Sequence, residues 1–236
     1  MHPMLTIYRS ARLARRTSVA ATLGFCAVAL VAFCAREARA QACVPEGCLP
    51  PPGSAYGGPF THHFNFLGTT VDLGNLSLHS FTSCSAPPPS VPNASTTISF
   101  NAIMDFVASV NGGPPSAGPA NAQATILVRF NQQLGPTRYF DTEMLQLDLS
   151  GGALPSGALV RESPTLASYG QTSIEDLGGG KFRIDSFFDV FFELSLDGGV
   201  NWVPGLNGPG RMTLTGPGCP TPTRRSSWGR VKITYR

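Results

Sequence analysis

The sequence predicts an all-β protein, an antiparallel β-sandwich with long Gly/Pro-rich loops. Three observations lead there. Apolar and polar residues alternate with a period of two along much of the chain. Gly and Pro are abundant, at 26 and 21 of 236 residues, while charged residues are only 13%, a balance that suits turns better than surface helices. Beyond residue 40 no segment carries a helical stripe. Many short strands with one apolar face each, and no β-α-β alternation, point to two antiparallel sheets packed face to face.

The chain opens with a cleavable export signal, residues 1–40. Arg9, Arg12, Arg15 and Arg16 form a basic start, residues 19–35 are an apolar run, and Ala38-Arg39-Ala40 places small residues where signal peptidase needs them. A membrane anchor needs ~20 predominantly apolar residues, and this run is short, Ala-rich and closed by Arg36, Glu37 and Arg39. Arg15-Arg16 suggests a twin-arginine route, but the rest of that consensus is missing. Ala40-Gln41-Ala42-Cys43 is a lipoprotein box without its Leu. The mature chain is therefore expected to be secreted or periplasmic, with no membrane span after cleavage.

Residues 41–59 read as a Pro/Gly-rich N-terminal arm and residues 60–236 as one β-sandwich domain, long enough to bury a single core. Weaker strands fall at 63–67, 71–73 and 76–81, and residues 85–93 form a long loop. Residues 96–107 place Ile98, Phe100, Ala102, Met104 and Phe106 on one face. After a second long loop at 111–122, residues 124–130 do the same with Ala124, Ile126, Val128 and Phe130. Residues 143–150 set Leu145, Leu147 and Leu149 inward, and 163–168 is a turn. Residues 182–185 bury Phe182 and Ile184. The strongest strand, 187–196, sets Phe188, Val190, Phe192, Leu194 and Leu196 against Asp189, Glu193 and Ser195. Strands at 211–215 and 230–235 complete the set.

Cleavage changes the charge. Removing six Arg and one Glu from 17 basic and 14 acidic residues leaves 11 and 13, a net charge of −2 in place of +3. Arg224, Arg225, Arg230, Lys232 and Arg236 crowd the end of the chain, alternating with apolar residues, and read as the polar face of a last strand, not as a nucleic-acid site. Four cysteines remain: Cys43, Cys48, Cys84 and Cys219. An even number in an oxidising compartment implies disulfides. Three connectivities are open. Cys43–Cys48 with Cys84–Cys219 is preferred because the second bond ties the domain's start to its end.

One motif has a shape. Ser195-Leu196-Asp197-Gly198-Gly199-Val200-Asn201-Trp202 follows the Asp-box pattern S-x-D-x-G-x-T-W, with Asn201 in place of Thr. It resembles a β-hairpin of sialidases, propeller repeats and other secreted proteins. That resemblance implies a structural role for Ser195, Asp197, Gly199 and Trp202. A single copy without a blade-length repeat speaks against a propeller.

A wider resemblance spans about residues 140–214. Asp141-Thr142-Glu143-Met144, Leu147-Asp148-Leu149-Ser150-Gly151-Gly152, Arg161-Glu162-Ser163-Pro164-Thr165, Gly170-Gln171-Thr172 and Ser186-Phe187-Phe188-Asp189-Val190 through Trp202 carry it. The chain is similar here to uncharacterised bacterial secreted proteins, several of which end in a PEP-CTERM-type sorting tail. The resemblance implies an extracellular β-rich domain and brings no known activity. Residues 228–236 carry no Pro-Glu-Pro motif, so release is expected over anchoring.

The search for chemistry yields little. There is no G-x-S-x-G elbow, H-E-x-x-H, P-loop or dinucleotide fingerprint, and no cofactor is expected. His62, His63, Asp72 and His79 are a candidate metal cluster, but adjacent strand residues point to opposite faces, so no metal is assigned. Asp189 and Glu193 lie four residues apart, ~13 Å along a strand. That exceeds the ~5–9.5 Å of a glycosidase pair. Arg partners on neighbouring strands are the simpler expectation. Phe187 and Phe191 on the same face suggest that it is partly covered. The expected function is a secreted non-enzymatic β-sandwich protein, structural or interacting, at the cell exterior. Its partner would be an extracellular protein or a glycan, with no nucleic acid. The alternatives are a carbohydrate-binding module, with Tyr56, Tyr139, Tyr169 and Trp228 as contacts, and then a small glycan hydrolase using the Asp189/Glu193 face.

Overall fold

The computed structural model describes residues 42–44, 48–82 and 87–216. The expected export signal, Cys84, Cys219, Trp228 and the expected strand at 230–235 lie outside the described residues. Thirteen strands are described: β1 (Ala42–Val44), β2 (Ala55–Gly57), β3 (Thr61–Phe66), β4 (Thr69–His79), β5 (Ser95–Val110), β6 (Ser116–Leu134) and β7 (Thr137–Ser150). They continue with β8 (Leu159–Glu162), β9 (Ser168–Gly178), β10 (Lys181–Val190), β11 (Phe192–Ser195), β12 (Val203–Pro204) and β13 (Gly210–Thr215). Every pairing is antiparallel, and no helix occurs among the described residues.

The fold is all-β, but it is a barrel and not the expected sandwich. Strands β2, β4, β5, β6, β7, β9, β10 and β13 pair in that order, and β13 pairs back to β2, closing eight strands. Alternation in the sequence specifies one buried face per strand. It does not say whether that face packs against a second sheet or against the far wall of its own sheet. Closure leaves none of these eight strands as a sheet edge along its paired length.

The closed ring is an up-and-down meander in which four of the eight staves are each broken once. β2 and β3 both pair with β4, interrupted at residues 58–60. β8 and β9 both pair with β7, interrupted at 163–167. β10 gives way to β11 at Phe191, and β12 to β13 across 205–209. Above the breaks β3, β4, β7, β8, β11 and β12 continue the wall. There Leu206 N–H donates to the His63 carbonyl at 2.8 Å, joining the end of β12 to β3. Only β4, β5, β6 and β7 run through both levels, with bulges in β4 between Gly74 and Ser77 and in the β6–β7 ladder.

Phe64, Leu78, Met104, Phe140, Ile174 and Phe188 are among the side chains that fill the interior. Outward positions are mostly polar, as in Gln123 and Arg129 on β6 and Asp141 and Asp148 on β7. This is the reverse of a membrane-spanning barrel, whose outer band is apolar. No helix among the described residues is long and apolar enough to cross a membrane.

Several elements differ from the sequence expectation. β6 begins at Ser116, so most of the expected loop at 111–122 is strand. Residues 187–196 form two strands, not one. Leu145 is 45% exposed, although it was expected inward. The β6–β7 register shifts between Thr125 and Ile126, so Gln146 and Met144 face consecutive residues and Leu145 is the extra residue turned outward. The stretch read as an arm contributes β1, on β10, and β2, which closes the barrel.

Candidate functional site

On the unbroken side, the outer faces of β5, β6 and β7 form a shallow groove of about 570 Å³, continued by a smaller section of about 280 Å³. Its floor is a grid set by strand register. One rung is Ser99–Thr125–Gln146, the next Asn101–Gln123–Asp148, the third Ile103–Asn121–Ser150. Thr82 walls one side, its backbone N–H and its Oγ1 both donating to the Asn101 carbonyl at 3.1 Å. Behind the floor, the inward residues Ala102, Ala120, Ala122 and Ala124 are all buried.

The grid is partly wired. Ser99 Oγ and Thr125 Oγ1 lie 3.0 Å apart, Thr125 Oγ1 donates to Gln146 Oε1 at 3.2 Å, and Gln146 Nε2 donates to Asp148 Oδ2 at 2.6 Å. Among the described residues the side-chain amides of Asn101, Asn121 and Gln123 have no hydrogen-bond partner. Each offers an acceptor and two donors to a ligand. Beyond Asp148 the rung continues to Arg161 on β8 and Glu193 on β11. Arg161 Nε and Nη2 bond Glu193 Oε2 at 2.9 and 2.7 Å, and the guanidinium lies 3.9 Å from the Trp202 ring centroid.

A second cluster is buried where the staves break. Glu162, on the inner face of β8, accepts from Ser168 Oγ at 2.9 Å, and Ser168 Oγ in turn accepts the Phe191 N–H. Ser163 N–H donates to the Phe191 carbonyl at 2.8 Å, so the strand break is satisfied by side chain and backbone together. Burial, opposed by the Ser168 hydrogen bond, pushes the Glu162 carboxyl up to about 7. His62 is 1% exposed, packed edge-on against Phe60 and Phe192, and neither ring nitrogen has a hydrogen-bond partner. Burial lowers its pKa to about 4, against a smaller upward pull from Asn207.

The expected site residues are dispersed. His63 faces outward and meets Asp72 at 2.7 Å, His62 faces inward, and His79 pairs with Asp105 at 3.0 Å. Asp189 is gripped by Arg211 at 2.8 and 2.6 Å, and that guanidinium covers the Phe187 ring at 4.1 Å. Glu193 also accepts from Ser163 Oγ at 2.9 Å. Tyr56 is buried and donates to Ser186 Oγ at 2.9 Å, whereas Tyr139 and Tyr169 face outward on β7 and β9, away from the groove. Cys48 is disulfide-bonded. The pairing of Cys43, Cys84 and Cys219 lies outside the described side chains.

The Asp-box segment joins β11 to β12 as a hairpin. Asp197 Oδ1 accepts the N–H groups of Val200 and Asn201 at 3.1 and 2.9 Å, and Oδ2 accepts from Asn201 Nδ2 at 2.7 Å. These bonds lower its pKa to about 2, the Asn201 N–H most of all. Ser195 Oγ accepts the Gly199 N–H, Gly198 and Gly199 have positive φ, and Trp202 Nε1 donates to the Gly199 carbonyl.

Nothing in the sequence marked Asn101, Asn121, Gln123 and Asp148 as a group. The usable signal was that outward positions Ser99, Asn101, Asn121, Gln123, Thr125 and Gln146 are polar and uncharged. Fold and site together define an antiparallel eight-stranded barrel with a packed interior and a polar groove on its outer wall. No family model, curated protein or solved structure matches the chain.

Proposed function

We propose that this is an exported, non-enzymatic binding protein that holds carbohydrate in the groove across β5, β6 and β7. The observation that carries the reading is the set of amides Asn101, Asn121 and Gln123, unpaired among the described residues, in a concave floor whose only charge among those residues is Asp148. Planar amides match the donor and acceptor pairs of sugar hydroxyls, and a floor without cations does not suit nucleic acid. A hydrolase finds less support, because Asp189 and Glu193 are each committed to an Arg.

Three or four net hydrogen bonds at ~1 kcal/mol each give a Kd on the order of 1 mM, weak enough that recognition depends on repeated contacts. The test is NMR titration of the host-processed protein with oligosaccharides at millimolar concentration. Side-chain amide resonances of Asn101, Asn121 and Gln123 should shift together, and Gln123→Ala should weaken binding about five- to tenfold. If no glycan moves these resonances, the reading is wrong.

A further inference from the structure

We infer that the groove selects glycans bearing free amino groups, with Asp148 receiving the ammonium. This rests on the carbohydrate reading above and narrows its ligand class. Asp148 is exposed, and its Oδ2 is fixed by Gln146, itself fixed by Thr125, so the carboxylate is oriented before a ligand arrives. Among the described residues no positive side chain lines the floor. The nearest cation along the rung, Arg161, is spent on Glu193 and stacked on Trp202. At the far end His79 is engaged by Asp105. An ammonium placed between Asn101, Gln123 and Asp148 therefore meets one carboxylate and several acceptor oxygens with no competing cation among the described residues, while a uronate or sulfate finds amide donors but is repelled by the Asp148 carboxylate. From β5 to β8 the rung spans ~14 Å, so an oligosaccharide lying across the strands fits better than a single sugar.

The test compares three probes on the host-processed protein at about pH 5.5, acidic enough to keep the sugar amines protonated. They are a β-1,4-linked glucosamine tetramer, its fully N-acetylated counterpart and a galacturonate tetramer. The glucosamine tetramer should bind about two- to fivefold tighter than the acetylated one at low salt, the range of an exposed ion pair. That preference should fade at high ionic strength. Asp148→Asn should bring the ratio to about one, and Asp148→Glu should keep most of it. Equal binding of amine and acetamide by the parent protein, or galacturonate binding as well as either, overturns the amine assignment while leaving the groove standing. Failure of all three to shift the Asn101 and Gln123 amides overturns the groove itself.

Discussion

Two buried titratable side chains give the molecule opposed pH dependences. The folded state holds the Glu162 carboxyl at about 7, above the ordinary 4.5 of a solvated carboxyl, so it binds more protons than the unfolded chain between those values. Stability from this group is present below pH 4.5 and is lost as pH rises through 7. His62 does the opposite. Its folded pKa of about 4 lies below the 6.5 of a free imidazole, so stability is present above 6.5 and is lost as pH falls through 4. Urea unfolding of the parent protein should therefore change little between pH 4.5 and 6.5. Glu162→Gln should leave a stability that rises with pH across that window, and His62→Leu one that falls. A Glu162→Gln profile matching the parent would show that the carboxyl is not protonated in the folded state.

At the scale of the elements, close approach between β9 and β10 is the vulnerable feature. A Cβ added at Gly170 on β9 would run into the Phe187 carbonyl oxygen and come within 2.8 Å of Thr142 Oγ1. Gly170→Ala should push β9 off β10 and cost about 1–3 kcal/mol in chemical denaturation. An unchanged midpoint would mean that the β9–β10 seam yields freely. Much of the strand content was legible from alternation alone: Ile98 to Phe106 and Ala124 to Phe130 face the core as the pattern says. Leu145 was not, because a bulge depends on the partner strand. The break at Phe191 was hidden too, since its N–H and C=O are taken by Ser168 and Ser163, far away in sequence. The same limit hid the groove. Asn101, Gln123 and Asp148 become neighbours only through register, and register is fixed by inward residues, not by the polar ones it aligns.

For the whole molecule, closure is the property to test. β13 pairs with both β10 and β2, so its removal would expose two strand edges at once. A chain ended before Gly210 should associate, visible by light scattering. A folded monomer would show that the ring is stable without its last stave. If residues 1–40 act as the proposed export signal, N-terminal sequencing of the protein from its native host should begin at Gln41, and a retained N-terminus would refute that signal.

The four breaks lie on one side of the barrel and the four continuous strands on the other. Ladder hydrogen bonds stop and restart along the broken side, so partial opening is cheapest there, as a jacket opens along its zip. The uninterrupted back panel keeps its rungs in register while the front gapes. A polymer bound across that panel would thus hang on the stiffest cloth in the garment, and tension on it would be shared among strands that run the full height of the molecule.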